Sequence, residues 1–394
     1  MSALWKKLGL LGAIAVLAGL GVLVWGRWNE PQPGGRPLRA WMEDLYSRDV
    51  SVRERALDTL CTLGRPAVPR LRAQLRRRDT LWDSAMGMLQ MQGPEPVRRW
   101  LENRASASQV RATAAWVLRR MGPEAGEATP ELLRALDDRE TSVARLAEYA
   151  LGAIGEPALP GLCEAVESRG RARRLAALRL IRQLGSSAVS ARPVVVRALQ
   201  DSDLEIRLAA AEALWRMGGE QGRVIQVLVG LAGSTNATLQ LGAVKALGTM
   251  GSAAVEAVPC LETCVDASNP YVRMQAGEAL ARVVGRTNVA ITTYRKALRH
   301  PDTNVRWEAL TGLGRWIPAS RSALADVITA AADGDRYVRS AAVTLLGAMG
   351  EDARAALPAL RVAARDTDTL VQSNAAESLC KIDPQNNPAP RAME

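Results

Sequence analysis

The sequence predicts an all-α fold: a right-handed superhelical α-solenoid of about eleven helix pairs, preceded by one transmembrane helix. Three features of the 394 residues carry that expectation. A segment pattern returns every 33 residues over most of the chain, one position of each unit is always alanine, and an uncharged apolar run lies close to the N-terminus.

Residues 1–7 form a basic flank that ends in Lys6 and Lys7. Leu8 to Trp25 follows as eighteen residues without a charge. As a helix rising about 1.5 Å per residue it measures ~27 Å, close to the depth of a bilayer core. Trp5, Trp25 and Trp28 stand at its two ends, where indole rings favour the interface. No small-x-small cleavage site follows the run before Trp28, so residues 8–25 are expected to stay attached as a transmembrane signal anchor. Basic residues flank both sides (Lys6 and Lys7 against Arg27, Arg36 and Arg39), so charge alone leaves sidedness nearly balanced. The expectation is a single-pass membrane protein with its solenoid exported to the periplasmic or extracellular side, the cytoplasmic side being the alternative. Residues 26–36, rich in Pro and Gly, read as a linker, 37–383 as the solenoid, and 384–394 as a disordered tail.

The repeat is found by self-similarity. DGDRYVRSAAVTLLGAMG at 333–350 returns as DSDLEIRLAAAEALWRMG at 201–218. Taking the aliphatic residue before the arginine as position zero gives Val52, Leu81, Val110, Val143, Arg173, Ile206, Leu239, Val272, Val305, Val338 and Val371. The last six intervals are all 33, whereas the first two are 29. Position +4 is Ala in all eleven units, from Ala56 and Ala85 to Ala375, and +8 is Leu except for Ile181. Steps of four and eight fall on one face of a helix, which marks a buried stripe. Gly commonly follows at +12, as a helix end wants. Asp49, Asp203, Asn236, Asn269, Asp302, Asp335 and Asp368 stand three residues before the anchor, at the N-cap position. Each unit therefore reads as two helices, the first commonly opening near Pro (Pro69, Pro130, Pro160, Pro193, Pro259, Pro358).

Composition narrows the function. Ten Trp, five Tyr and no Phe leave a core of aliphatic residues and Ala, which suits closely packed helices. The net charge of +10 is confined to the first 120 residues, since residues 121–394 carry 31 charges of each sign. A protein that tracks a phosphate backbone along its length spreads its basic residues more evenly, so nucleic-acid binding is disfavoured. Five scattered cysteines do not form a disulfide framework. Cys260 and Cys264 share a helix face, but no further Cys or His lies nearby to complete a metal site. The single histidine, His300, sits in a turn where other units carry Asp, which favours a capping role over general-base work. With no second His there is no His-based triad, and no Gly-rich phosphate loop is present. No catalytic residue, metal or cofactor is expected.

With an Asp-rich turn, then Val-Arg, Ala and Leu-Gly, these units resemble HEAT repeats, of the short bacterial kind also found in phycobilin lyases. The resemblance covers about residues 37–383. It implies a scaffold that binds a partner before it implies chemistry, with the second helix of each pair lining the concave side. It also implies an internal ladder in which the arginine after the anchor (Arg53, Arg111, Arg174, Arg207, Arg273, Arg306, Arg339) pairs with turn aspartates such as Asp201, Asp333 and Asp366. The other reading of that column is a basic track for an anionic ligand. The di-iron HEAT hydroxylases need His-Glu pairs that this chain lacks. The HEAT-like DNA glycosylases use Trp, Asp and Arg, but they are soluble and basic along the concave face, and this chain matches neither feature.

Position +2 lies opposite the buried arc, where polar residues belong, yet units five to nine carry Leu175, Leu208, Leu241, Met274 and Trp307 there, with Trp215 alongside at +9. Glu212, Lys245 and Glu278 at +6 border them. This stripe is the expected docking surface for a protein partner, a peptide or helix lying in the concave groove. The alternative is that the column packs against the following repeat. Two further readings remain: a phycobilin-lyase-like enzyme or enzyme partner that holds a tetrapyrrole in the same groove, and nucleic-acid binding through the basic first repeats.

Overall fold

The computed structural model describes residues 32–385 apart from 48, 81–84, 86–87, 90 and 97–104. These residues form helices and no strand. Two compact units divide the chain after Val195. The first holds α1 (Leu38–Asp44), α2 (Val50–Leu63), α3 (Val68–Leu75), α4 (Ala107–Met121), α5 (Thr129–Ala135), α6 (Thr141–Ile154), α7 (Leu159–Val166) and α8 (Arg171–Leu184). The division falls within α9 (Arg192–Ala198). The second unit holds α10 (Leu204–Met217), α11 (Gln221–Ala232), α12 (Ala237–Met250), α13 (Val258–Cys264), α14 (Pro270–Val284), α15 (Thr287–Ala297), α16 (Thr303–Gly314), α17 (Leu324–Ala330), α18 (Arg336–Met349), α19 (Leu357–Ala363) and α20 (Thr369–Ile382).

Local chemistry sets the boundaries of these helices. All seven residues at the expected N-cap position cap a second helix, each side chain accepting a backbone N–H from the first turn. Ser106 and Gln109 close a reciprocal capping box on α4. Most second helices end on a glycine of positive φ, such as Gly64, Gly155 and Gly350. The alanine at +4 is fully buried in α2, α4, α6, α8, α10, α12, α14, α16, α18 and α20. Lacking side-chain bulk, it lets successive helices approach closely and bury the leucines beside it.

The unit anchored at Leu81 departs from the other ten. Its Ala85 is exposed and its Leu89 is 39% exposed. α3 packs instead against α4, as first helices elsewhere pack against their own partners. Arg111 of α4 donates to the Arg77 carbonyl at 3.0 Å and to both oxygens of Asp79 at 2.9 Å, taking that turn as its own. Residues 76–106 therefore lie between the two helices of one pair; ten second helices are described in full, and residues 81–84, 86–87 and 90 of the expected eleventh lie outside the described residues. The two intervals of 29 are the sequence trace of this insertion, since 58 residues separate Val52 from Val110 in place of 33.

The membrane assignment is corrected as well. Among the described residues no helix is long and apolar enough to cross a membrane. The run at 8–25, its linker up to residue 31 and the tail from 386 lie outside the described residues. The transmembrane helix, the signal anchor and the exported location consequently have no support in the structure and play no further part.

Candidate partner-binding face

The arginine column resolves in favour of an internal ladder. Arg306 donates through Nε and Nη2 to Asp333 at 2.8 Å each, and Arg339 reaches Asp366 the same way at 2.7 and 2.8 Å. In the first unit Arg111 holds Asp138 at 2.7 and 3.0 Å. Each of these aspartates lies 27 residues on, in the next turn of the stack. The same arginines donate back to carbonyls of the turn after the preceding helix, as Arg339 does to Asp333 and Gly334 and Arg306 to His300 and Pro301. Arg53, Arg174, Arg207 and Arg273 likewise donate to turn carbonyls. Their charges serve the fold, and the basic track for an anionic ligand is set aside. His300 plays the turn role expected of it, its Nδ1 accepting the Asp302 N–H at 3.1 Å. The Cys260 and Cys264 thiols lie against carbonyls of α11.

The six apolar residues of the expected stripe are not brought to one common exposure. In the first unit Leu175 on α8 is buried at 7%. In the second, Met274 on α14 is 1% exposed and belongs to the core, while Leu208, Leu241 and Trp215 are half-buried. Trp307 on α16 is 43% exposed. The cause is local. Leu208 Cδ2 lies 2.6 Å from where a Cβ on Gly242 of α12 would stand, so this position leans over the following second helix, and how far it is covered depends on that neighbour. The docking and packing readings of the column thus divide it: Met274 and Leu175 pack, Trp307 faces solvent.

Sequence reasoning missed a polar cluster that reaches the end of α16. Glu278, read as a rim residue, is 2% exposed. It accepts from Tyr294 Oη at 2.7 Å, from Arg282, and from Arg315 at 3.3 Å, the last arriving from the end of α16. A buried carboxylate is tolerated only when so paired. Burial and the hydrogen bond to Glu278 both push the Tyr294 phenol well above its ordinary value, so it stays protonated and donates. The ring fits because residue 312 is Gly: a Cβ there would lie 2.2 Å from it. A tyrosine in a first helix, with glycine at +7 where other second helices carry side chains, is the signal that was available. Arg282 and Arg315 remain 42% and 48% exposed, so the cluster fixes two guanidinium groups at the surface. Arg216 and Lys245 are exposed on neighbouring second helices.

The basic first repeats form a separate cluster, in which Arg72, Arg76 and Arg134 surround Glu131, whose side chain is 1% exposed.

Among known proteins, no curated sequence matches this protein significantly. Among solved structures it is similar to a mutant of Kap121p, at 13% identity and a TM-score of 0.53, with 88% of this chain and 42% of that one covered. It is similar also to the karyopherin Kap121p bound to the extreme C-terminus of the protein phosphatase Cdc14p, at 13% identity and a TM-score of 0.50, over 88% and 46% of the two proteins. The CpcE–CpcF complex of phycocyanin lyase from Nostoc sp. PCC7120 is similar at 19% identity and a TM-score of 0.38, over 59% and 94%. The protein spans less than half the length of the Kap121p structures, and at these identities the likeness is one of fold. HEAT-repeat profiles match residues 94–182, 159–239 and 291–380, together more than half of the sequence. With its paired helices, capped turns and buried alanine column, the chain belongs to the HEAT-repeat family.

Proposed function

We propose that this protein is a scaffold that binds a protein segment on the second-helix face of its second unit, and that it is not an enzyme. The observation that carries the reading is Trp307, a large apolar side chain left 43% exposed on a helix whose other apolar residues are covered. Exposed aromatic anchors beside fixed guanidinium groups are the residue types that dominate protein interfaces. Arg315 lies two turns along from Trp307, about 12 Å at 1.5 Å per residue, and Arg282 joins it through Glu278. Half-buried Leu208, Trp215 and Leu241 extend the apolar surface on preceding helices. The exposed cations Arg216, Lys245, Arg282 and Arg315 favour an amphipathic partner whose polar side is acidic. The fold-level likeness to a karyopherin bound to a peptide is in keeping with this reading.

The test is affinity capture with the full-length protein beside Trp307→Ala. The variant is expected to keep its helical circular dichroism and thermal midpoint while losing the captured partner, and high salt is expected to weaken capture by the wild type. Equal capture by both proteins would remove Trp307 from the interface and the reading with it.

A further inference from the structure

The first unit carries a second surface, remote in sequence from Trp307 and independent of the partner-binding reading. Its second helices α4, α6 and α8 pack in succession and together carry nine arginines and a single carboxylate, Glu148. Local charge is thus strongly positive, although residues 121–394 balance as a whole. Three of the nine serve turns: Arg111 holds Asp79 and Asp138, Arg173 holds Asp137, and Arg174 donates to the Ser168 carbonyl. Arg119, Arg120, Arg145, Arg179 and Arg182 lie exposed along the helix bodies. Arg120 stands 3.8 Å from Asp58 of α2 and Arg179 stands 3.9 Å from Glu148, both arginine side chains being more than half exposed. Ion pairs so long and so wet contribute little to stability and yield to a better-placed anion.

Aromatic side chains interleave with these arginines. Position +6 is Trp116 on α4, Tyr149 on α6 and Arg179 on α8. Trp116 is half-buried, Tyr149 is 51% exposed, and the Arg119 guanidinium lies 5.2 Å from the centre of the Tyr149 ring. Packed helices stand about 10 Å apart, a distance that an extended chain covers in about three residues. We infer that this face binds an extended acidic polypeptide segment. An apolar side chain of the segment rests against Tyr149. Carboxylates about three residues to either side meet Arg119 and Arg120 in one direction and Arg179 in the other. The excess of guanidinium groups selects an acidic segment over a neutral or basic one. The guanidinium stacked on Tyr149 covers a ring face that a nucleic-acid base requires, which favours polypeptide over single-stranded nucleic acid.

Fluorescence anisotropy with the full-length protein tests the assignment, using a labelled peptide in which glutamates flank a leucine at a spacing of three, its glutamine counterpart, and labelled oligothymidylate. The acidic peptide is expected to bind, and the glutamine peptide to bind at least about ten-fold more weakly. Arg119→Gln combined with Arg179→Gln is expected to weaken the acidic peptide about ten-fold without loss of helicity, since both side chains are exposed. Tyr149→Ala is expected to weaken it about five-fold, a second measure that does not depend on charge. Trp307→Ala is expected to bind it as the wild type does, which separates this face from the one on the second unit. Four outcomes overturn the inference: no binding of the acidic peptide, equal binding of both peptides, binding indifferent to the arginine pair and to Tyr149, or loss of binding in Trp307→Ala alone. Oligothymidylate that binds more tightly than the peptide, with the same dependence on Arg119 and Arg179, overturns it in favour of nucleic acid.

Discussion

Arg339 and Asp366 form a two-pronged ion pair between consecutive repeats, 2.7 and 2.8 Å long, with both side chains less than one-sixth exposed. Arg339 also donates to the carbonyls of Asp333 and Gly334, so one side chain holds the turn of its own pair and grips the next turn. Replacing Arg339 by Ala removes a charge-assisted pair and leaves a half-buried carboxylate without its cation. The expected loss is about 2 kcal/mol, read as a lower urea midpoint with an unchanged slope.

The same pair sets an acid dependence. The hydrogen bond from Arg339 holds the Asp366 carboxyl below its ordinary value of 3.8. At Asp333, burial would raise the value, and the Arg306 guanidinium outweighs it. A carboxyl whose folded-state value is depressed contributes stability that is fully present above 3.8 and is lost as pH falls below it. Thermal midpoints of Asp366→Asn and wild type are expected to differ most at neutral pH and to converge below 3.8. A gap that stays constant into acid would contradict the pairing.

Gly312→Ala places a methyl group 2.2 Å from the Tyr294 ring, which lies between helices that cannot part freely. Overpacking of this kind is expected to cost about 1–3 kcal/mol. Tyr294→Leu made in the same protein should recover part of that loss by opening the space, a coupling that a double-mutant cycle measures directly. Additive losses would show that the ring and the glycine do not share this contact.

Met274 and Trp307 occupy the same repeat position and should answer one substitution in opposite ways. Met274→Asp buries a charge in the core and is expected to unfold the second unit or lower its stability by more than about 4 kcal/mol. Trp307→Asp sits in solvent and should change stability by under about 1 kcal/mol while abolishing partner capture. Melting curves of the two variants separate the packed member of the column from the accessible one.

Removing residues 80–104 would leave Val52 and Val110 33 residues apart, the spacing of the regular units. Because α3 already packs on α4 and Arg111 already holds Asp79, the shortened protein is expected to keep its cooperative melt. Loss of cooperativity would mean that the removed residues are part of the stack.

The sequence carried most of this fold in plain form. The caps at Asp302, Asp335 and Asp368 and the alanines from Ala114 to Ala375 behave as their pattern requires, because both effects are local or nearest-neighbour. Ala85 and Leu89 obey the same pattern yet lie exposed, since periodicity reports that a helix has a sticky side and not whether a neighbour comes to cover it. Met274 and Trp307 part for the same reason: their common angle on the helix fixes direction, and the adjacent helix decides cover. Glu278 was misplaced because its partners Tyr294 and Arg315 are 16 and 37 residues away.

The ties at the end of α3 and the start of α4 have a practical meaning. Arg111 holds Asp79 and the Ser106–Gln109 box holds the first turn of α4, so the pair is joined by contacts of its own. A reporter or an affinity tag grafted in place of residues 80–104 would hang from two anchored points, and α3 and α4 would keep their contact.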